Sequence, residues 1–108
     1  MLSEEDRITA KQYEKFSNEP HVLIDVRSPM EFEICHLPGS LNIPLKDLKS
    51  ESTIQRLKVF VVCRRGNDSQ KGVLALQESL KGLKVSVKDI VGGLHSWSYN
   101  VDPSFPVY

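Results

Sequence analysis

Short runs rich in β-branched residues alternate along this chain with stretches whose apolar residues recur at helical spacing. The runs that predict strands are 21–25, 41–43, 59–62 and 85–91. The run at 59–62 is apolar throughout, as is typical of a parallel strand covered on both faces. Residues 69–80 have the apolar spacing of a helix. The pattern therefore predicts a single α/β domain with a mostly parallel central sheet.

Two sequence motifs of the capping-box type predict helix starts. Thr9 and Gln12 predict a short helix immediately after them. Ser28 and Glu31 predict a second helix, with Pro29 at its first position. Because this helix follows a strand so closely, we expect the chain to turn sharply between the two elements.

Glycines predict two further boundaries. Gly82 is placed to end the preceding helix in a left-handed conformation. Gly92 and Gly93 break the last strand, and a short helix over 94–99 should follow. Residues 46–58 are weakly patterned, so the sequence predicts no helix bounds there.

The composition narrows the function classes. Fourteen basic residues balance fourteen acidic ones, so we expect no nucleic-acid partner and no binding to an anionic membrane. The sequence lacks any apolar stretch of the roughly 18 residues that a transmembrane helix needs. Cys35 and Cys63 are too few for a disulfide framework, and no histidine pair completes a metal site. We therefore expect no metal and a reducing compartment, the cytosol.

Cys63 stands at the carboxyl end of the apolar run, where ligands collect in open parallel sheets. The loop that leads from it to the next helix is Arg64, Arg65, Gly66, Asn67 and Asp68. Backbone N–H groups of such a loop, the positive end of a helix and adjoining arginines all favour a thiolate, the reactive nucleophile. Asp68 would oppose this effect if its carboxylate points inward. As a helix N-cap it would instead face the backbone N–H groups of the first turn.

Cys63 also has a simpler interpretation, because a buried cysteine often just closes an apolar strand. The adjoining arginines, glycine and helix start favour the reactive site. Cys35 lacks such surroundings, and we interpret it as a structural thiol, with a secondary redox partner as the alternative. A cysteine phosphatase would need an arginine at the position of Ser69, and without it bidentate phosphoryl binding is lost.

Charged residues around the second predicted helix are interpreted as structural. Unpaired buried charges are costly, so we expect Arg27 to pair with Glu31 or Asp25 beneath the loop. His36 could act as a general base, but before Leu-Pro-Gly we expect it to hydrogen-bond local backbone.

Three segments, in this order and spacing, resemble the rhodanese family. They are Leu-Ile-Asp-Val-Arg at 23–27 with Glu-Phe at 31–32, His-Leu-Pro-Gly-Ser at 36–40 and Asn-Ile-Pro at 42–44; the loop from Cys63; and Val-Gly-Gly at 91–93 with Trp97. The resemblance implies a rhodanese-like domain over 8–108, after an N-terminal lead-in of 1–7. It also implies a mostly parallel central sheet of about five strands, flanked by helices on both faces. It implies a sulfurtransferase in which Cys63 carries sulfane sulfur as a persulfide, within an active-site loop that extends to Ser69.

The run Gly-Asn-Asp-Ser-Gln-Lys at 66–71 narrows the resemblance to the C-terminal rhodanese domains of the eukaryotic molybdenum cofactor synthesis protein 3 subfamily. This resemblance implies a cysteine desulfurase as sulfur donor and the adenylated C-terminal glycine of a ubiquitin-like protein as acceptor. The thiocarboxylate formed would serve molybdenum cofactor synthesis and thiolation of the tRNA wobble uridine. No cofactor is expected in this domain, because ATP and zinc would belong to an upstream domain that the chain does not contain.

Two positions depart from the pattern of the family. Asp68 stands where thiosulfate-specific relatives usually carry a basic residue, so thiosulfate is not expected to be the natural donor. Cys35 stands where many relatives have glycine. The alternatives are a stand-alone small-molecule sulfurtransferase of the thiosulfate type and a non-catalytic rhodanese-like docking module.

Overall fold

Five short strands form one parallel sheet in the computed structural model, which describes residues 2–50, 58–81 and 85–107. The strands are β1 (Arg7–Ile8), β2 (Val22–Asp25), β3 (Leu41–Asn42), β4 (Lys58–Val62) and β5 (Ser86–Ile90). Their order across the sheet is β1-β5-β4-β2-β3, and every neighbouring pair is parallel. The predicted α/β fold with a parallel sheet of about five strands is confirmed.

Helices connect the strands, as parallel pairing requires. They are α1 (Ala10–Phe16), α2 (Pro29–Ile34), α3 (Asp68–Ser79) and α4 (Gly93–Asn100), with 3-10 helices at Glu4–Asp6 and Leu45–Ser50. Both predicted capping boxes form. Thr9 Oγ1 accepts the Gln12 N–H at 3.1 Å. Ser28 Oγ accepts the Glu31 N–H at 3.3 Å, and proline occupies the first turn of α2 as predicted.

Alternate residues of β4 face opposite sides of the sheet and belong to separate cores. Val59 and Val61 pack with apolar side chains of the second 3-10 helix and α3. Phe60 and Val62 pack with apolar side chains of α1 and α4. Because helices cover both faces, the strand is apolar at successive positions, which explains the unbroken apolar run in the sequence.

The N-terminal residues add an edge strand that the hydrophobic pattern did not predict. β1 pairs with β5 in a register that sets Arg7 opposite Asp89. A strand of two residues is too short to give an alternation, so the pattern holds no signal for it. Leu2 packs against the core on the α3 side of the sheet. The predicted boundary between a lead-in at 1–7 and the domain stays a prediction.

Two predicted features fall partly outside the described residues. α3 ends at Ser79, with Leu80 as its C-cap, and Gly82, the predicted terminating glycine, lies outside them. The weakly patterned stretch at 46–58 contains most of the second 3-10 helix, and residues 51–57 lie outside the description. None of the helices described is long and apolar enough to cross a membrane.

Candidate active site

The loop after β4 brings Cys63 to the carboxyl edge of the sheet, beside an open pocket. The pocket has a volume of about 310 Å³. One part of its lining comes from the loop and the start of α3, and the other part from the elbow between β2 and α2. The lining residues are Val26, Arg27, Ser28, Glu31, Cys63, Arg64, Arg65, Asn67 and Asp68. The structure therefore brings together most of the residues that the sequence placed in or beneath an active-site loop.

A backbone hydrogen bond is directed at the sulfur of Cys63. The Gly66 N–H donates to Sγ at 3.0 Å, and Cys63 is 4% exposed. Gly66 has a φ of +92°, which residues with a β-carbon rarely adopt. Arg64 is half-buried and Arg65 exposed at the same pocket. Hydrogen-bond donors and cations around a sulfur stabilise an anion, so this geometry suits a sulfur nucleophile.

The start of α4 is in direct contact with the loop backbone. The Leu94 N–H donates to the Cys63 carbonyl at 2.9 Å, and the His95 N–H donates to the Arg64 carbonyl at 3.1 Å. A β-carbon on Gly93 would clash with both of these carbonyl groups. The glycine pair before α4 therefore allows the helix to satisfy its first N–H groups on the loop.

An ion pair with a buried carboxylate lies beneath the loop. Arg7 Nε and Nη2 donate to the two carboxylate oxygens of Asp89 at 2.9 and 3.0 Å. Asp89 is fully buried, and Ser69 Oγ donates to its Oδ2 at 3.1 Å. The hydrogen bonds to Asp89 raise the pKa of Arg7 above its ordinary value. Desolvation lowers this pKa to a smaller extent, and the negative charges of Asp89 and Cys63 raise it further. Arg7 therefore stays cationic.

The loop residue that donates to sulfur is also held through its carbonyl. Gln70 Nε2 donates to the Gly66 carbonyl at 2.8 Å. Arg7 Nη2 reaches the same oxygen at 3.5 Å, the outer limit of a hydrogen bond. The position of Gly66 thus depends on contacts from α3 and from β1.

A second buried ion pair fixes the other side of the pocket. Arg27 donates to both carboxylate oxygens of Asp25 at 2.7 to 3.1 Å, and both residues are buried. Arg27 also donates to the carbonyls of Glu31 at 3.3 Å and Cys35 at 2.5 Å. Asp25, one of the two predicted partners, forms an ion pair with Arg27, and the Glu31 side chain takes part in the α2 capping box.

Asp68 and His36 both lie at exposed positions. The N-cap of α3 is Asn67 rather than Asp68, which lines the pocket and whose carboxylate lies 3.9 Å from Lys71 Nζ. His36 Nδ1 donates to the Phe32 carbonyl at 2.8 Å, which confirms the predicted hydrogen bond to local backbone. Its ring stacks on Phe32 with centroids 3.8 Å apart.

Residues 9–100 match the rhodanese-like domain family. The chain belongs to this family. The rhodanese-like domain is 43% identical over 118 residues to the adenylyltransferase and sulfurtransferase MOCS3 of Drosophila ananassae, and 45% identical over 119 residues to that of Aedes aegypti. Each alignment covers 100% of the chain, but 26% and 27% of the relative. The chain thus spans about a quarter of the length of these curated relatives.

Solved structures agree with the family assignment. A rhodanese-related protein from Thermoplasma volcanium is 28% identical with a TM-score of 0.73, covering 94% of this chain and 96% of its own. The human single-domain sulfurtransferase TSTD1 has a TM-score of 0.71 at 20% identity, covering 88% of this chain and 96% of its own, and shows the shared fold. Family membership and the names of the curated relatives support an enzyme of the sulfurtransferase class.

Ser69 of this rhodanese-like domain lies beneath the loop rather than in the pocket. It was predicted as the last residue of the active-site loop, but it belongs to α3 and is fully buried on Asp89. A cysteine phosphatase would need an arginine fork at this position. The buried hydroxyl has no such reach, so the geometry disfavours phosphate-ester hydrolysis. Among the residues that the structure describes, no cluster of three His, Cys, Asp or Glu could hold a metal.

Arg7, Gln70 and Asp89 support the loop of the rhodanese-like domain, and the sequence analysis assigned this role to none of them, although Gln70 lies in the run at 66–71 that narrowed the resemblance. Asp89 did carry a signal, because a carboxylate within the predicted strand at 85–91 must find a partner once it is buried. Its partner could not be read from the sequence, since Arg7 is 82 positions away and lies on a strand too short to predict.

Proposed function

We propose that this domain is a sulfurtransferase that carries sulfane sulfur on Cys63 as a persulfide. The observation that carries the proposal is the Gly66 N–H directed at Cys63 Sγ, at a pocket bordered by Arg64 and Arg65. A fixed donor and two cations stabilise the negative charge that both a thiolate and a persulfide anion carry. The sulfurtransferase names of the curated relatives support the same reaction class.

Loading begins with attack of the Cys63 thiolate on the terminal sulfur of a persulfide held by a cysteine desulfurase. A new sulfur–sulfur bond forms at Cys63 while the donor's sulfur–sulfur bond breaks, and the electron pair leaves with the donor's cysteine thiolate. The terminal sulfur on Cys63 is then the nucleophile for the second step. No metal, cofactor or general base is needed, because both nucleophiles react as anions.

We propose the adenylated C-terminal glycine of a ubiquitin-like protein as the acceptor. The terminal sulfur attacks the activated carboxyl carbon, a carbon–sulfur bond forms and the bond to AMP breaks. A thiol reductant then attacks Cys63 Sγ, which releases the thiocarboxylate and leaves a disulfide at Cys63. A slender, extended glycine tail suits the pocket, because Cys63, which carries the reactive sulfur, is only 4% exposed. The double name of the relatives, adenylyltransferase and sulfurtransferase, supports this pairing of reactions.

The wider role follows from the same resemblance. We place the reaction in the cytosol, where the thiocarboxylate would supply sulfur for molybdenum cofactor synthesis and for tRNA wobble-uridine thiolation. A stand-alone thiosulfate enzyme is less well supported, because Asp68, an exposed acidic residue, is among those lining the pocket that a dianion would enter. A silent docking module would not need a hydrogen bond at the sulfur of Cys63.

The test is intact mass spectrometry after exposure to a sulfur-loaded cysteine desulfurase. The wild type and Cys35→Ser should each gain the mass of one sulfur atom, and Cys63→Ser should gain none. Addition of an adenylated ubiquitin-like protein and excess thiol should then yield a thiocarboxylate. A second thiol molecule reduces the disulfide left at Cys63, so the domain should return to its original mass. A wild type that never gains sulfur, or equal loading of Cys63→Ser, would overturn the proposal.

A further inference from the structure

The register of the sheet sets two opposite charges side by side beneath the Cys63 loop. Arg7 of β1 and Asp89 of β5 are directly paired in the parallel ladder, so their side chains emerge on one face. That face is the one covered by α3, since Ser69 of α3 donates to Asp89. Nε and Nη2 of Arg7 both donate to the carboxylate of Asp89, which is fully buried.

A short series of contacts connects this ion pair to the reactive sulfur. Arg7 Nη2 donates to Asp89 and also reaches the carbonyl oxygen of Gly66 at 3.5 Å. The N–H of Gly66 in turn donates to Cys63 Sγ at 3.0 Å. A displacement of Arg7 would therefore displace Gly66, the residue three positions after Cys63 whose N–H contacts the sulfur.

We propose that Arg7, held in place by Asp89, is a positioning residue for Cys63. It keeps Gly66 where its N–H meets the sulfur, and it supplies a fixed cation that is not among the residues lining the pocket. The inference deepens the proposed function, since the same support would hold the persulfide anion. Arg7 does not touch a substrate in this role and acts through Gly66.

The pair contributes more here than a structural ion pair would. Asp89 is fully buried and the Arg7 side chain is 24% exposed. Exposed ion pairs stabilise a fold little and buried ones are often no better than apolar side chains of similar volume, so stability alone gives little reason for this pair. Asp89 fixes the guanidinium by two bonds, and a fixed cation needs no reorganisation when charge appears on sulfur. Arg7 is charged under all ordinary conditions, because the hydrogen bonds that it donates to Asp89 raise its pKa further.

Other charged groups surround Cys63 and must be kept constant in a test. Around the pocket they are Arg27 and Glu31 from the α2 elbow, Arg64 and Arg65 from the loop, and Asp68 from α3. His95 of α4 contacts the loop through its backbone N–H. A substitution confined to Arg7 leaves all of these groups in place.

The experiment measures the alkylation rate of Cys63 by iodoacetamide across the pH range from about 5 to about 10. All proteins carry Cys35→Ser, so that mass spectrometry follows one thiol. The variants are Arg7→Gln, which removes the charge, and Arg7→Lys, which keeps the charge but loses the two-pronged contact. Lys58→Gln is the matched control, because Lys58 pairs with Glu19 at the other end of β4. The rate reached at high pH reports access to the sulfur, and the position of the pH profile reports stabilisation of its anion.

For Arg7→Gln we expect the profile to move to higher pH, with alkylation at neutral pH about fivefold slower, the size expected for one weakened hydrogen bond. Arg7→Lys should lie between this variant and the wild type, and Lys58→Gln should match the wild type. If Arg7→Gln lowers the melting temperature or alters the high-pH rate while the profile stays in place, the pair is merely structural and the proposal is wrong. If Arg7→Gln does not fold, a profile of Arg7→Lys identical to the wild type overturns it equally.

Alkylation requires neither a sulfur donor nor an acceptor, which separates this inference from the proposed function. A shifted profile together with a wild type that takes up no sulfur would leave Arg7 as a positioning residue and reject the transfer reaction. Normal sulfur loading with an unshifted profile would reject the role of Arg7 alone.

Discussion

A β-carbon on Gly66 would lie 2.7 Å from the backbone nitrogen of Gly92, so the absence of a side chain at Gly66 lets the Cys63 loop touch the start of α4 backbone to backbone. Gly66 also has a φ of +92°. The first constraint is steric contact between segments distant in sequence, and the second is local backbone conformation. Gly39 has the conformational constraint without the steric one, because its φ is +78° but a β-carbon there would meet nothing within 4 Å.

Alanine substitutions should measure the two constraints. Gly39→Ala should destabilise the domain by about 1 kcal/mol, the cost of a left-handed conformation. Gly66→Ala should cost about 2–4 kcal/mol, because overpacking against Gly92 adds to that strain. Urea unfolding of both variants against the wild type gives the comparison. Equal losses would show that backbone conformation alone makes Gly66 a glycine.

Local chemistry explains the parts of the fold that could be predicted. The capping boxes at Thr9 and Ser28 depend on side chains within three residues of their backbone partners, so the sequence contains the whole interaction. The apolar run of β4 records that helices cover both faces of the sheet. Cys63 could be located for the same reason, since it directly follows that run.

Long-range pairing explains what could not be predicted. β1 has two residues and no pattern, and the ion pair of Arg7 with Asp89 exists only because β1 adds to the edge of β5. The position of Ser69 is similar. Its side chain is directed by the packing of α3 on the sheet, so its burial on Asp89 could not be read from its place after the loop.

Because Asp68 is an exposed acidic residue, we expect the domain to use thiosulfate poorly as a sulfur donor. Asp68 lines the pocket beside Cys63, where it repels a dianion. Asp68→Arg should raise kcat/KM for thiosulfate by about tenfold, since a cation at the mouth of a site raises the local concentration of an anion. Thiocyanate formation from thiosulfate and cyanide measures this activity.

Glu78→Arg is the matched control for that change, because it makes the same charge reversal on an exposed residue in the last turn of α3. It should leave the thiosulfate activity near that of the wild type. An equal rise in both variants would show that net charge, rather than a carboxylate at the pocket, limits the reaction.

Tyr13 predicts a loss of stability in alkaline solution. It is buried, and burial raises its pKa to about 12. The unfolded chain releases this proton near its ordinary pKa of about 10, so between about pH 10 and 12 the unfolded state binds fewer protons than the folded state. The contribution of Tyr13 to the free energy of unfolding is therefore fully present below about pH 10 and is lost as the pH rises toward 12.

Urea unfolding from about pH 9 to 11.5 tests this window. Tyr13→Phe should be less stable at neutral pH, because it loses the 2.8 Å contact between the hydroxyl and His21 Nε2, but its stability should fall less steeply with pH. Tyr99→Phe is the control, since Tyr99 is 73% exposed, and it should keep the wild-type slope. If Tyr13→Phe keeps that slope as well, Tyr13 does not titrate in this range.

Arg64 and Arg65 should matter for encounter with an acidic or adenylated acceptor more than for the chemical step. Both line the pocket, and Arg65 is exposed. Charges at the rim of a binding site act mainly on the association rate, and salt screens them over about 8–10 Å. The variant with both arginines replaced by alanine should therefore transfer sulfur about tenfold more slowly at low salt. In the wild type, added salt should reduce the rate toward that of the variant.

Single-turnover transfer from preloaded persulfide, timed at low and high ionic strength, tests the steering role without involving the donor. The control replaces Lys15 and Lys81 by alanine, which removes the same charge. Both lysines are exposed, and they lie at or just beyond the ends of α1 and α3. Because these helices start at the carboxyl edge of the sheet, beside the pocket, their ends lie at the opposite edge of the sheet. This control should keep the wild-type rate and its salt dependence. If the arginine variant matches the wild type at low salt, or if the lysine control slows as much, the charge at the pocket does not steer the acceptor.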